Sequence, residues 1–191
     1  MFGQVVSTNV SRTLFVIPCG AAKLSRPSPA RTLYTGSMFQ YCLTVVEEEA
    51  ELSGTAGRSA AVRILSARHG LLDLDTHVEP YDRRMTDRDA VPTTVVADQL
   101  MPLAEAGDTD IHTFLPRPYL ARLLAAHEMI EQRGHSIRVH DHYLGTRGIG
   151  YQRQVLATLR STRGTDDSRA PWRRPVSDGQ AEPGARSGSD G

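Results

Sequence analysis

Lysine is almost missing from this chain of 191 residues. Of its 22 basic side chains 21 are arginine, and Lys23 alone carries a side-chain amine. The 22 acidic residues balance the basic ones, so the formal net charge is zero. A neutral chain lacks the basic excess that is typical of a general nucleic-acid scaffold, although a local basic cleft stays open.

Cysteine and long apolar runs are also scarce. Two cysteines, Cys19 and Cys42, and no C-x-x-C pair argue against a disulfide framework and against a cysteine zinc site. No apolar run approaches the length of a membrane span, and the first residues lack the pattern of a signal peptide. We therefore expect a cytoplasmic protein with free thiols and no membrane association.

The composition divides the chain into three parts. Residues 162–191 are rich in Gly, Pro, Ser, Asp and Arg and nearly devoid of aliphatic side chains, which predicts a disordered tail. Residues 1–12 are interpreted as an N-terminal extension. The remainder, 13–161, is predicted to be a single α/β domain of catalytic type.

Apolar strand-like runs alternate with helical patterns in that domain. Strands are predicted over 13–18, 60–67, 110–116 and 136–141, and helices over 36–53, 87–106, 117–134 and 148–161, the second helix starting or breaking near Pro92. This alternation predicts a three-layer fold with a mainly parallel sheet of about four to five strands flanked by helices. The binding crevice of such a sheet lies beyond the carboxyl ends of its strands.

Lys23 follows the first predicted strand, just after Pro18-Cys19-Gly20. An ammonium group can lose its proton when desolvated and become a nucleophile, whereas guanidinium stays charged. The location and rarity of Lys23 favour a catalytic role over chance survival in an arginine-rich composition. Gly20 would let backbone N–H groups turn toward an anion. Cys19, a candidate substrate contact, is either a nucleophile or a buried structural thiol.

The segment 66–85 carries the highest density of reactive side chains. Imidazole suits proton transfer near neutral pH, so His69 is a candidate acid or base. Asp75 and Glu79 are candidate carboxylates for activating water or stabilising a developing cation. The alternative is that these acids pair with Arg68, Arg83 and Arg84 and only fix the loop. The substrate-binding candidates here are Ser66, Tyr81 and Asp82.

Further candidates lie at the start of two predicted helices. Gly148 and Gly150 precede the last helix, where N–H groups can accept an anion. Tyr34 is either a platform on which a base stacks or part of the core, and Ser37 is either a substrate contact or a helix cap. His140-Asp141-His142 has no third metal ligand at a recognisable spacing, so no metal and no cofactor are predicted.

Several motifs together resemble an uncharacterised family of bacterial and phage proteins, a domain of unknown function. They are "IPCGAAKL", "PARTLYTGSMF", "ILSARHGLLDLDTHVEPYDRRM" and "GIGYQ", within residues 13–155. The third motif is also similar to the peroxide-stress YaaA family, at Gly70, Leu71, Leu72, Asp75, Pro80 and Tyr81. The first is loosely similar to the archaeosine synthase signature, at Pro18, Cys19 and Lys23, without its later histidine.

These resemblances imply a connection to nucleobases or DNA. The leading hypothesis is a nucleobase- or nucleic-acid-directed enzyme that cleaves or exchanges an N-glycosidic bond, in a modified-base or phage-defence context. Asp75 or Glu79 would stabilise the cation-like sugar or activate water, and His69 or Lys23 would assist the departing base. The alternative is a non-catalytic DNA- or nucleotide-binding stress-response protein. A small-molecule hydrolase is a third possibility.

Overall fold

The computed structural model describes residues 11–55, 58–145 and 148–161. The elements in chain order are β1 (Arg12–Pro18), β2 (Ser28–Pro29), α1 (Ala30–Leu33), α2 (Ser37–Thr55), β3 (Ser59–Ser66), β4 (Gly70–Asp73), β5 (His77–Val78), α3 (Thr93–Glu105), β6 (Thr109–Thr113), α4 (Arg117–Gln132), β7 (Arg138–Asp141) and α5 (Gly148–Ser161). The predicted tail and residues 1–10 lie outside the described residues. Within those ranges, none of the helices has both the length and the apolar character to cross a bilayer.

Five strands form the main sheet in the order β4-β3-β1-β6-β7. The central strand β1 pairs in parallel with β3 and β6, β6 pairs in parallel with β7, and only β4 runs antiparallel to its neighbour. The predicted fold class, a mainly parallel α/β sheet of four to five strands, is confirmed.

Side chains of β1 alternate between two cores. Leu14 and Val16 pack on the face covered by α3 and α4, whereas Phe15 and Ile17 pack on the face covered by α2 and α5. A strand that is buried on both faces must be apolar throughout, which explains the continuous run in its sequence. The helices on both sides give the three layers that the alternation of elements predicts.

The segment that follows β3 forms a strand where the sequence predicts a loop. The chain turns at Gly70, which has a φ of 74°, and β4 returns along β3 with Leu72 opposite Ile64. Leu71 and Leu72 enter opposite cores, as successive residues of a strand must. The prediction was wrong because β4 is only four residues long and its two leucines are adjacent, so it lacks the alternation by which a short strand is recognised.

Gln99 of α3 holds this turn in place. Its Oε1 accepts a hydrogen bond from the Leu71 N–H at 2.7 Å, and its Nε2 donates to the His69 carbonyl at 3.0 Å. A Cβ added to Gly70 would lie only 2.2 Å from the Gln99 Oε1. The turn that carries His69 is therefore fixed by both a left-handed backbone and a helix side chain.

We predict that Gly70→Ala destabilises the fold more than Gly134→Ala does. Both glycines have positive φ, so each substitution costs about 1–2 kcal/mol of backbone strain. Gly134 has open space around it, whereas alanine at Gly70 also displaces Gln99 and removes its two hydrogen bonds, at about 1 kcal/mol each. Equal free energies of unfolding in urea would contradict this account of the turn.

Candidate functional site

A crevice opens where the chain leaves β1 and β6. These strands are parallel neighbours, yet α2, which follows β1, and α4, which follows β6, pack on opposite faces of the sheet. The loops at the carboxyl ends therefore diverge, and parallel α/β sheets bind ligands at such a switch point. A cavity of about 440 Å³ lies there, within the range of about 300–1,000 Å³ that is typical of small-molecule sites.

Loops and helix ends from four places line the cavity. The loop after β1 contributes residues 18–22, the start of α2 contributes 36–39 and Cys42, the region after β6 and β7 contributes Phe114, Pro116, Tyr119 and Tyr143, and α5 contributes Ile149 and Gln152. The segments that follow β1, β6 and β7 at the carboxyl edge of the sheet thus meet around one cavity.

Two thiols face phenols around this cavity. The Cys19 Sγ lies 3.1 Å from the Tyr119 hydroxyl. Burial raises the pKa of the Cys42 thiol to about 12, and a hydrogen bond with Tyr143 offsets only part of that rise. Burial also raises the pKa of Tyr119 and of Tyr143 above the ordinary phenol value. Both phenols consequently keep their protons at neutral pH.

Lys23 lies beside the cavity rather than on its wall. It forms an isolated bridge with Tyr34, and its Nζ donates to the Ala21 carbonyl at 3.3 Å. The same Nζ lies 4.4 Å from the centroid of the Tyr81 ring and 5.7 Å from that of Tyr34, which are cation–π distances. In the described part of the chain, no carboxylate forms an ion pair with this ammonium group.

A chain of hydroxyl groups holds the Tyr81 ring beneath Lys23. The Ser66 Oγ accepts the N–H groups of Arg68 at 3.1 Å and His69 at 3.0 Å, and it lies 2.8 Å from the Tyr81 hydroxyl. Since a serine oxygen accepts two hydrogen bonds and donates one, Ser66 must donate to Tyr81. The Tyr81 oxygen in turn lies 2.9 Å from that of Tyr34.

These hydroxyl groups are buried and neutral. Ser66 and Tyr34 are fully buried, so Tyr34 corresponds to the core interpretation of that residue. Burial raises the pKa of Tyr34 to about 12 and that of Tyr81 further still. The aromatic surface under Lys23 is thus rigid and carries no phenolate.

His69 also packs against the Tyr81 ring. Its ring meets the Tyr81 ring edge-on, with centroids 5.5 Å apart. Partial burial, followed by the charges of Arg68 and Arg83, lowers the pKa of His69 below its ordinary value. Its Nε2 is buried and has no hydrogen-bond partner among the described residues. Lys23 and His69 therefore both pack against the Tyr81 ring.

The predicted carboxylates lie further out. Asp75 is exposed and pairs at 3.1 Å with Arg31 rather than with the arginines of its own segment. Glu79 and Asp82 are exposed on either side of Tyr81. The structure does not join Asp75 to the group formed by Lys23, Tyr81 and His69.

The remaining candidates lie around the cavity mouth. Ser37 and Gly20 contribute to its lining, and the Ser37 Oγ accepts a hydrogen bond from Arg153 at 3.3 Å. Gly148 and Gly150 are exposed at the start of α5, on either side of the lining residue Ile149. Tyr119, Phe114 and Tyr143 were not singled out from the sequence, because a single sequence does not distinguish a cavity aromatic from a core aromatic.

A ladder of histidines supports the cavity wall from behind. The His112 Nδ1 of β6 lies 2.9 Å from the His142 Nε2, and His112 stacks on His140 with ring centroids 4.7 Å apart. His142 stacks in turn on Phe114 at 4.5 Å. His140 pairs with Asp110 at 2.8 Å. Among the described residues, no group of three or more His, Cys, Asp or Glu is placed to hold a metal ion.

The buried histidine pair predicts that stability falls as the solution becomes acidic. Burial lowers the pKa of His112 to about 3 and that of His142 to about 4, so in the unfolded chain both take up protons at higher pH than in the folded one. Stability is then lost as pH falls from about 6.5 toward 4, by on the order of 2–4 kcal/mol at pH 5. Urea unfolding at pH 7.5 and pH 5 measures the loss.

Two variants separate this effect from general acid sensitivity. The double substitution His112→Leu with His142→Phe should reduce the pH dependence between pH 7.5 and 5. The matched control is His77→Gln, because His77 is exposed and should not change it. A wild-type stability that does not change over this range would contradict the prediction.

Comparison with known families gives one finding. A family model described as a family of unknown function (DUF6884) matches residues 14–158, most of the chain. Neither the curated proteins nor the solved structures give a match. The comparisons link the chain neither to YaaA nor to archaeosine synthase. The expected resemblance to an uncharacterised family is confirmed, and the chain belongs to the DUF6884 family.

Proposed function

We propose that the protein is a nucleobase- or nucleic-acid-directed enzyme that cleaves or exchanges an N-glycosidic bond. The observation that carries this proposal is the position of Lys23 beside an aromatic-walled cavity. Its loop forms one wall of the cavity through residues 18–22, while its amine rests on the Tyr81 ring next to His69. A base in the cavity would leave its sugar near these two side chains.

Cleavage of such a bond requires an activated nucleophile and a proton for the departing base. His69 is the candidate base that activates water, since its imidazole is biased toward the neutral form and packs against the Tyr81 ring below Lys23. The Lys23 ammonium supplies the proton. Water forms the new C–O bond at the sugar, the C–N bond breaks, and the proton taken by His69 returns to Lys23 through solvent.

This assignment gives water activation to His69 rather than to the carboxylates. Asp75 is exposed and pairs with Arg31, which also pairs with Glu47, and it has no contact with Lys23 or His69 among the described residues. Glu79 remains a second candidate for stabilising the cation-like sugar, because it precedes Tyr81 by two residues and is exposed. The nucleic-acid connection of the proposal comes from the motif resemblance to the YaaA family at Gly70, Leu71, Leu72, Asp75, Pro80 and Tyr81, and we include in the proposal a cytoplasmic modified-base or phage-defence context.

We predict that Lys23→Arg lowers the rate of base release by at least about 100-fold, the usual contribution of a positioned acid or base. Arginine keeps the charge and the contact with Tyr81 but does not give up a proton. The measurement is chromatography of free bases released from DNA oligonucleotides, RNA oligonucleotides and a nucleoside panel. The control is Arg26→Lys, because Arg26 is an exposed cation of the same loop.

Undiminished base release by Lys23→Arg would remove the catalytic role of this residue. Trapping with borohydride in the same reactions tests whether the Lys23 amine instead attacks the sugar directly, because only an imine intermediate leaves a covalent adduct on the protein.

One observation favours the second candidate, a DNA- or nucleotide-binding protein without catalysis. The Arg68 guanidinium lies 5.9 Å from the Tyr81 ring centroid, so two cations meet at one aromatic residue, and neither forms an ion pair among the described residues. Such a protein would bind DNA with a steep salt dependence, and Arg68→Ala would weaken binding and reduce the slope. Absence of base release together with this behaviour would favour it over the enzyme.

A further inference from the structure

The described lining of the cavity carries no charged side chain. Among the described residues that line it, none is acidic or basic, and the polar side chains are Cys19, Ser37, Cys42, Tyr119, Tyr143 and Gln152. An ion that entered such a space would lose its hydration without a charged group in the described lining, which is costly; the Arg153 guanidinium reaches only the Ser37 hydroxyl of that lining, at 3.3 Å. The cavity therefore suits a neutral group.

We propose that the cavity binds a nucleobase as a neutral planar heterocycle and that Cys19 and Tyr119 together form its specificity-determining hydrogen-bonding pair. This inference rests on the proposed function, because it identifies the pocket that holds the base. It assigns two roles to two neighbouring places: the uncharged cavity takes the heterocycle, and the cationic surface of Lys23 lies toward the sugar and any phosphate.

The geometry of the pair fits recognition of a base edge. Cys19 follows β1 and Tyr119 lies in the first turn of α4, on opposite sides of the crevice. Both backbones are fixed, since the Cys19 N–H donates to the Leu65 carbonyl at 3.1 Å and the Tyr119 N–H donates to the Pro116 carbonyl at 2.9 Å. A thiol and a phenol each act as donor or acceptor, so the pair can match the N–H and C=O groups of a heterocycle.

The existing contact between the two is easily exchanged for contacts to a ligand. Sulfur is a weak partner in hydrogen bonds, so the Tyr119 hydroxyl gives up little when it turns to an oxygen or nitrogen of a base. Burial also keeps this phenol protonated, as shown by the direction of its pKa. A strong internal hydrogen bond at the same place would oppose binding.

The aromatic lining is rigid, and Tyr119 is its more accessible ring, because Phe114, Phe39 and Tyr143 are buried. Phe114 is held from behind by His142, with ring centroids 4.5 Å apart, and meets Tyr143 edge-on at 5.9 Å. Phe39 contributes a second aromatic side chain from α2. Stacking on aromatic rings is the common means of holding a base without charge.

Fluorescence of 2-aminopurine tests the proposal directly. This free base is planar and neutral at pH 7, and stacking quenches it, so titration with the protein should reduce its emission. Tyr119→Phe should weaken binding roughly fivefold, the effect of one lost hydrogen bond, whereas Tyr151→Phe, at an exposed tyrosine of α5 outside the cavity lining, should not. Cys19→Ser is a second variant of the pair, and thermal unfolding checks that each variant is folded.

Two competitors that match each other in shape but differ in charge test whether the cavity prefers a neutral ligand. Benzamide is neutral and should displace 2-aminopurine, whereas benzoate is anionic and should not. Absence of quenching at millimolar 2-aminopurine, equal competition by benzoate, or an unchanged affinity of the folded Tyr119→Phe protein would each overturn the proposal.

This experiment separates the pocket from the reaction. If 2-aminopurine binds with the expected dependence on Tyr119 but no substrate releases a base, only the enzymatic proposal fails. If base release is observed but 2-aminopurine neither binds nor competes, only the assignment of the cavity fails.

Discussion

The cavity at the site depends on the directions in which the chain leaves two neighbouring strands, β1 and β6. β1 and β6 are parallel and hydrogen-bonded, but the helices that follow them lie on opposite faces of the sheet. The backbone after Pro18 and the backbone after Thr113 must therefore separate, and an apolar sheet cannot fill the gap with its own side chains. The gap becomes a cavity because loops and helix ends, not strands, supply its walls.

The second constraint is the orientation of one aromatic ring. Tyr81 belongs to a long segment with little regular structure, yet its hydroxyl is tied to Ser66, whose two lone pairs are already occupied by the turn that follows β3. That turn is itself anchored to α3 by Gln99. Lys23 gains a fixed neighbour through this sequence of contacts, although within the described residues its own side chain makes a single hydrogen bond, to the Ala21 carbonyl. A flexible amine is thereby positioned by groups that belong to a different part of the chain.

Sequence patterns predicted the elements well where the pattern was local. The apolar run at β1 and the helix at α4, with Pro118 in its first turn and Gly134 just beyond its end, lie within a few residues of the predicted bounds. One contact that the sequence did not predict joins two residues that are far apart in the chain. Cys19 and Tyr119 are 100 residues apart, and nothing in either neighbourhood indicates that a thiol and a phenol will meet. The turn at Gly70 likewise depends on Gln99, a side chain of a later helix.

The described cavity lining is uncharged, whereas cations lie beside it, and this difference connects the observations above. A nucleotide or nucleic acid combines a neutral, flat base with an anionic backbone, and no single environment suits both parts. Within the described residues, the space lined by Cys19, Tyr119 and Phe114 holds no charge, whereas Lys23 and Arg68 present charges without ion-pair partners at the adjacent Tyr81 ring. An anion drawn to those cations would be excluded from the cavity by desolvation, and a base drawn into the cavity would leave its sugar outside. In the proposed arrangement the bond between base and sugar lies between the cavity and the Tyr81 ring on which Lys23 and His69 pack.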